Sequence, residues 1–182
     1  MKLILGWLLL IASVSVSAAN FSVINAAKSN ISFVSKQMGV AVTGNFAQFS
    51  SQISLDTANL ATAKAQITVM LNSIDAGSAE ANDEVKGKAW FNVLAYPNAT
   101  FVASSVKAVA GNRYLAAGKL TIKGRVRDVV VPFTAISTGA SLLLDGSIPI
   151  SRAAFGIGEG AWADTSVVAD EVQVRFHFMM LN

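Results

Sequence analysis

The residues that could form a metal site are few in this chain of 182 residues. The sequence contains a single histidine, His177, and no cysteine. Zinc and copper sites normally recruit imidazole or thiolate ligands, so a metal site here would depend almost wholly on carboxylates. We therefore expect no functional metal site and no cofactor.

The residues needed for covalent catalysis are equally sparse. A Ser-His-Asp arrangement would have to use His177, and the sequence has no Gly-x-Ser-x-Gly elbow. The adjacent carboxylates Asp83 and Glu84 fall in a predicted amphipathic helix, where a solvated face explains them. The glycines of segment 156–160 lack the strand–turn–helix setting and the basic residue of a phosphate-binding loop. The sequence predicts a protein that is not an enzyme.

The N-terminal segment indicates export. Lys2 precedes an almost uninterrupted apolar run from Leu3 to Val16, and small residues follow up to Ala19. This order is typical of a signal peptide cleaved after Ala18 or Ala19. A membrane anchor would need roughly 20 apolar residues, and this run is shorter. We expect residues 1–19 to be removed and residues 20–182 to form one domain.

The charge of the chain argues against nucleic acid as a partner. The formal net charge is +3, and removal of Lys2, the only charged residue in the leader, lowers it to +2. Lysines and arginines are not clustered into a block. The hydrophobic fraction of 53% favours instead a lipid-like ligand or a membrane contact.

Period-two alternation of apolar and polar residues dominates the chain after the leader. The last strand is the clearest case, because Val172, Val174 and Phe176 share one face while Gln173 and Arg175 share the other. Turn signals at Gly111-Asn112, Lys123-Gly124, Thr138-Gly139 and Asp145-Gly146 separate several of the runs, the last of them also compatible with a bulge. The predicted strands are 30–36, 40–49, 65–71, 100–109, 114–122, 126–136, 142–150 and 172–180.

One segment departs from this alternation. Ser78 can cap a helix with Glu80 in its first turn and Lys86 near its end, which suits the helix dipole. Gly87 marks its stop, and Trp90-Phe91 would then pack on the sheet. About eight sequential antiparallel strands with one short helix predict an all-β, up-and-down barrel. A lumen filled by side chains, a lumen holding one slim ligand, and a two-sheet sandwich all fit this pattern.

The segment from Trp90 to Phe101 contains paired aromatics, Trp90-Phe91, followed by Tyr96-Pro97. With this segment as the strongest match, the chain, nearly end to end after the leader, resembles the YceI-like family, periplasmic proteins with a lipocalin-like barrel associated with polyisoprenoid binding. Lys28 and Gln37 stand where many members have histidine. Further matches are Ser29-x-Ile31-x-Phe33, Val42-x-Gly44-x-Phe46, Gly118-x-Leu120-Thr121-Ile122-x-Gly124, Val130-Val131-Pro132-Phe133 and Arg152 to Ile157.

The resemblance implies a periplasmic carrier that holds a polyisoprenoid lipid, a polyprenyl phosphate or an isoprenoid quinone, in its barrel. A phosphate head group would favour Arg152, whose guanidinium forks onto paired oxygens, whereas a quinone would need only a neutral donor such as Gln37. Lys36 completes the candidate polar end. The candidate apolar lining comprises Ile31, Phe33, Met38, Phe46, Met70, Phe91, Phe101, Phe155, Trp162 and Phe176.

Other functions stay open on the sequence alone. A non-enzymatic periplasmic interaction or stress module with a filled core would carry no lipid. A small outer-membrane barrel shares the leader and the alternating strands, but the charged helix and the polar face of the last strand disfavour it. By analogy, a carrier of quinones would deliver them to a membrane redox protein. A homodimer is compatible with the exposed apolar strand faces.

Overall fold

The computed structural model describes residues 21–181, so the predicted signal peptide lies outside the described residues. These residues form one antiparallel sheet of eleven strands. The strands are β1 (Val23–Ile24), β2 (Asn30–Gln37), β3 (Val40–Phe46), β4 (Phe49–Ser54), β5 (Lys64–Met70), β6 (Ile74–Asp75), β7 (Asn98–Ala110), β8 (Arg113–Ile122), β9 (Arg125–Thr138), β10 (Ser141–Ser151) and β11 (Glu171–Leu181).

The strand order is β4-β5-β7-β8-β9-β10-β11-β2-β3-β6, and β1 also pairs with β11. The run from β7 to β11 is a meander in which each strand pairs with the next along the chain. The sheet curls until its β4 edge meets the segment before β1, which lies beside β11, since the Leu55 amide after β4 donates to the Phe21 carbonyl at 3.4 Å. Within residues 21–181, no helix is both long and apolar enough to cross a bilayer.

The predicted fold class, an antiparallel all-β barrel with one short helix, is confirmed, and the single curled sheet replaces the sandwich alternative. The strand count is higher than the predicted eight. Two of the additional strands, β1 and β6, have two residues each. The third arises because the predicted strand 40–49 is two strands, β3 and β4, with Ala47 and Gln48 between them. Because β4 contains three serines, its sequence shows little alternation of apolar and polar residues, and the strand was not predicted.

The turns follow the predicted signals with one exception. Lys123 and Gly124 have φ values of +49° and +72°, and they form the turn between β8 and β9. Asp145 and Gly146, by contrast, lie within β10. Glycine is required there by packing, because an added Cβ would collide with the Phe176 ring and come within 2.9 Å of the Pro132 carbonyl oxygen.

The helix α1 (Ala79–Lys86) begins where the sequence predicts. The Ser78 hydroxyl accepts a hydrogen bond from the Ala81 amide at 3.2 Å, which satisfies one of the unpaired amides of the first turn. The helix ends before Gly87, and Trp90 and Phe91 follow it onto the sheet, where the Phe91 ring lies 6.4 Å from that of Phe46.

Two buried clusters flank the interior of the curled sheet. The first surrounds Leu142, Phe178 and Met180, and the second surrounds Leu71 and Phe155. The connection after β10 closes over the second cluster through two short 3-10 helices, Ala153–Phe155 and Gly160–Trp162.

A surface ion-pair cluster holds that connection against the β8–β9 turn. Lys123 Nζ donates to the Gly156 carbonyl at 2.6 Å and to Glu159 Oε2 at 3.0 Å, while Arg125 Nη2 donates to Glu159 Oε1 at 3.0 Å. The hydrogen bond and positive charge of Lys123, assisted by Arg125, lower the pKa of the Glu159 carboxyl from its ordinary value.

Candidate ligand-binding site

A cavity of about 620 Å³ lies inside the curled sheet, between the two buried clusters. Its walls are mainly aliphatic and aromatic side chains from most of the strands. The lumen is therefore not filled by side chains, in contrast to the filled-core alternative. Nine predicted site residues line it: Ile31, Phe33, Gln37, Phe46, Phe91, Phe101, Arg152, Trp162 and Phe176.

Strand alternation selects the residues that face the cavity. Along β11, Val172, Val174, Phe176 and Phe178 line it, so Gln173, Arg175 and His177 between them point to the outer face. The sequence pattern predicted this division of β11. The same rule explains β5, where Ala65, Ile67 and Val69 line the cavity.

Four predicted site residues lie outside the cavity. Met38 is in the β2–β3 turn, with 77% of its surface exposed. Met70 ends β5 on the face opposite Val69, and Lys36 points outward between Ser35 and Gln37, which both line the cavity. Phe155 is buried in the second cluster. Hydrophobic or charged character suggested these residues, but turn position, strand parity and core packing direct them elsewhere.

Arg152, predicted at the polar end of the site, lines the cavity, and its guanidinium is anchored to the protein backbone. Its side chain is 2% exposed, and the guanidinium donates to four backbone carbonyls. Nη1 donates to Ile157 and Gly158 at 2.9 and 3.0 Å, Nη2 donates to Val168 at 2.7 Å, and Nε is shared between Val168 and Ala169 at 3.3 and 3.2 Å. The guanidinium also lies 5.9 Å from the Trp90 ring centroid. Arg152 therefore joins the two ends of the connection between β10 and β11.

Helix α1 supplies cavity residues that sequence reasoning missed. Glu80, Ala81, Glu84 and Val85 line the cavity, and the Trp90 indole donates to Glu84 Oε1 at 3.1 Å. Positions 81, 84 and 85 share one helix face, so the spacing i, i+3, i+4 was the available signal. We interpreted Asp83 and Glu84 as a solvated face, and both are exposed, but Glu84 also borders the cavity that the helix covers.

The charges at the cavity are mixed in sign. Lys64, Glu80, Glu84 and Arg152 border it, and the first three of these residues are exposed. Hydrogen bonds from the Glu80 backbone amide and then from the Ser78 hydroxyl lower the pKa of the Glu80 carboxyl. A ligand head group at the start of the helix would therefore meet the ionised carboxylate of Glu80 at neutral pH.

The one histidine is separated from the cavity by the sheet. His177 Nδ1 lies 2.7 Å from Asp145 Oδ1 on the outer face. Residues 21–181 include no group of three or more histidine, cysteine, aspartate or glutamate side chains arranged to hold a metal ion. The cavity thus presents a surface for an apolar ligand, with polar groups confined to its border.

Comparisons with known proteins agree with this architecture. The sequence profile of the YceI-like domain matches residues 23–180. A UPF0312 protein of Photorhabdus laumondii is 33% identical over 128 residues, which cover 69% of this chain and 66% of that protein. The crystal structure of Burkholderia cenocepacia BcnA is 48% identical, with a TM-score of 0.84 and coverage of 86% of this chain and 98% of that one. A domain from Saccharophagus degradans has 19% identity, a TM-score of 0.69 and coverage of 91% and 99%.

Proposed function

We propose that this chain, which belongs to the YceI-like family, is a periplasmic carrier for a long-chain polyisoprenoid lipid. The observation that carries the proposal is the apolar cavity of about 620 Å³ inside the barrel. The S. degradans domain, which shares the fold, is described as a polyisoprenoid-binding domain. A membrane redox partner and a homodimer, both considered from the sequence, gain no support from the described residues.

The cavity walls suit a branched hydrocarbon chain. Aromatic side chains such as Phe33, Phe101 and Phe176 alternate with aliphatic ones such as Ile67 and Val174. Each CH₂ group transferred from water to such a surface contributes about 0.8 kcal/mol. Ordering the chain and restricting its translation offset part of this gain, so a long tail is needed for tight binding.

The polar border favours a neutral head group over a phosphate. Glu80 and Glu84 stand on the helix that covers the cavity and would repel an anion. The guanidinium of Arg152 already donates to four carbonyls, so only a fraction of its hydrogen-bonding capacity remains for a ligand. A quinone-like or alcohol head group, bound by neutral donors such as Gln37, fits this arrangement better.

Identification of the native ligand tests the proposal. The protein would be purified from periplasmic extract under native conditions, extracted with organic solvent, and analysed by mass spectrometry. We expect stoichiometric isoprenoid lipids with neutral head groups. Polyprenyl phosphates would contradict the head-group assignment, and a lipid-free protein without a thermal shift on addition of isoprenoids would contradict the carrier function.

A pair of adjacent alanines on β8 provides a matched test of the cavity. Ala116 lines the cavity, whereas the next residue, Ala117, points to the outer face and pairs with Val130. We expect Ala116→Trp to abolish isoprenoid binding and Ala117→Trp to preserve it. Thermal unfolding of both variants would establish that they are folded, and equal binding by both would place the ligand outside the cavity.

Export is tested by the mature N-terminus. Intact-mass measurement on protein from the periplasmic fraction should give a chain that begins at Ala19 or Asn20. Recovery of the full-length chain from the cytosol would contradict the proposed location.

A further inference from the structure

Exposed apolar residues cluster at the tip of the β2–β3 hairpin. Met38 and Val40 are 77% and 68% exposed. Met38 and Gly39 form the two-residue loop, with φ values of +50° and +80°. Such loops favour Asn-Gly or Asp-Gly, because asparagine and aspartate tolerate positive φ better than other side chains. Turn chemistry therefore does not account for a methionine at this position.

A second segment joins the tip and adds a third exposed apolar side chain. The Met38 amide donates to the Val167 carbonyl at 2.7 Å, and the Ala169 amide donates to the Lys36 carbonyl at 2.9 Å. Val167 is 39% exposed. The loop that carries it is itself held by Asp164, whose Oδ1 accepts from the Ser166 amide and hydroxyl at 2.8 and 2.7 Å. Met38, Val40 and Val167 thus form one supported surface, which we call the apolar tip.

The apolar tip continues the lining of the cavity. Gln37, Val42 and Val168, which adjoin the tip in sequence, all line the cavity. Val40 and Val42 are two residues apart on β3, so their side chains point to the same face of the sheet. Val40 thus continues the row of cavity-facing side chains beyond the rim of the cavity. An apolar path therefore runs from the interior to the exposed end of the hairpin.

The small size and mixed charge of the apolar tip indicate a bilayer rather than a protein as its partner. A stable protein interface buries about 800 Å² on each partner from 20–30 residues, which three side chains do not supply. Shallow insertion of a few apolar side chains is sufficient for a transient contact with a bilayer. Lys36 and Asp164 flank the tip with opposite charges, so attraction to an anionic surface would not dominate.

We propose that the apolar tip inserts shallowly into a lipid bilayer and that the isoprenoid ligand passes between bilayer and cavity beside it. The second part of this proposal, passage of the ligand between bilayer and cavity, rests on the proposed lipid-carrier function. Contact at the rim allows an insoluble tail to move between two apolar surroundings without crossing water. The bilayer contact itself requires only the ligand-free protein.

Two double variants with the same change in charge test the tip. Met38→Asp/Val40→Asp alters the tip. Val23→Asp/Val109→Asp alters two valines of comparable exposure, 55% and 57%, at the opposite end. Val23 pairs with Leu181 at the end of β11, whereas Gln173 near its start pairs with Val34. Val109 adjoins the β7–β8 turn. From Arg113, the first residue of β8, the strand pairings run across the sheet to Thr134, Asp145, His177 and finally Asn30 at the start of β2. This turn therefore lies at the end of the barrel opposite the β2–β3 hairpin tip.

The first measurement is flotation of ligand-free protein with dioleoylphosphatidylcholine vesicles. We expect the wild type and the Val23→Asp/Val109→Asp control to float to a similar extent, with little dependence on salt concentration. The Met38→Asp/Val40→Asp variant should lose most of its binding. Equal flotation of both variants, or no flotation of wild type, would overturn the proposed bilayer contact, and thermal unfolding would verify that each variant is folded.

The second measurement is transfer of nitrobenzoxadiazole-labelled farnesol from the protein to the same vesicles. We expect a rate that rises with vesicle concentration and falls about tenfold in Met38→Asp/Val40→Asp, with unchanged equilibrium binding of the probe in solution. A rate independent of vesicle concentration, or equal in both variants, would refute transfer at the tip. Failure of wild type to bind the probe would instead contradict the proposed function, while the flotation result would still test the contact.

Discussion

Replacement of Arg152 by methionine should destabilise the protein rather than simply weaken ligand binding. Methionine retains most of the length of the side chain and removes the guanidinium. Among residues 21–181, no carboxylate forms an ion pair with Arg152, and its partners are the carbonyls of Ile157, Gly158, Val168 and Ala169. The substitution would leave these four acceptors without a donor in a buried region.

The expected loss follows from those four carbonyls. A buried polar group without a partner costs about 1–3 kcal/mol, and partial hydration of the connection keeps the cost near the lower end, so four carbonyls give about 4 kcal/mol. The free energy of unfolding should fall by that amount. For a domain of this size, 1 kcal/mol corresponds to about 2–4 °C in Tm, so the Tm should fall by about 8–16 °C.

Urea and thermal denaturation of the ligand-free protein would measure this loss. Arg127→Met is the matched control, because Arg127 is exposed and its guanidinium donates to the Ala154 and Val126 carbonyls at 2.9 and 3.0 Å. Its free energy of unfolding should change by about 0.5 kcal/mol or less. If Arg152→Met kept its stability and lost only ligand binding, Arg152 would be a head-group ligand, as the sequence suggested, and the structural role argued above would be wrong.

Three further substitutions test other parts of the fold. Phe21→Ala should lower the free energy of unfolding by about 3–5 kcal/mol in urea denaturation, because the ring is buried in the first cluster, and an unaffected midpoint would contradict its packing. Gly44→Ala should cost about 1–3 kcal/mol, because its Cβ would lie 2.5 Å from the Asp75 carbonyl oxygen, and a wild-type Tm would disprove this contact. The pKa of Glu159 is lowered chiefly by Lys123, so its stabilising contribution should be complete above its ordinary pKa and disappear as the pH falls through the lowered value. Denaturation from pH 6 to 2 should therefore show a smaller acid-induced loss in Glu159→Gln, and identical profiles would contradict the ion-pair cluster.

The sequence predicted the walls of the barrel better than its borders. Along β11, alternation alone assigned Val174 and Phe176 to the interior and Arg175 to the outer face, because the geometry of a strand leaves only two orientations. The same rule applied to β5 would have excluded Met70, which has the parity of the outward-facing Gln66 and Thr68. The apolar character of Met70, and not its position along the strand, suggested it as a lining residue.

The sites that sequence reasoning misplaced depend on contacts between segments distant in the chain. Arg152 was expected to bind a ligand head group at the polar end of the site, but backbone carbonyls, among them those of residues 168 and 169, accept the hydrogen bonds of its guanidinium. Met38 was expected in the cavity, but a two-residue loop projects it outward. Asp83 and Glu84 were assigned to a solvated helix face, and both are exposed, but Glu84 also borders the cavity that α1 covers. Helical spacing indicates which residues of α1 share a face, but it does not indicate that this face covers the cavity, just as the sequence around Arg152 does not indicate that segment 168–169 lies beside it.

Two of these residues, Arg152 and Met38, have different roles in the proposed carrier. Arg152 holds the connection that contributes Ile157, Trp162 and Val168 to the cavity. Met38 belongs to a tip supported by the same connection through its bond to Val167. Loss of the Arg152 guanidinium should therefore disturb both the cavity and the tip, whereas aspartate at the tip should affect only exchange with the bilayer. A carrier needs this division, because strong retention in solution and rapid transfer at a membrane require different contacts.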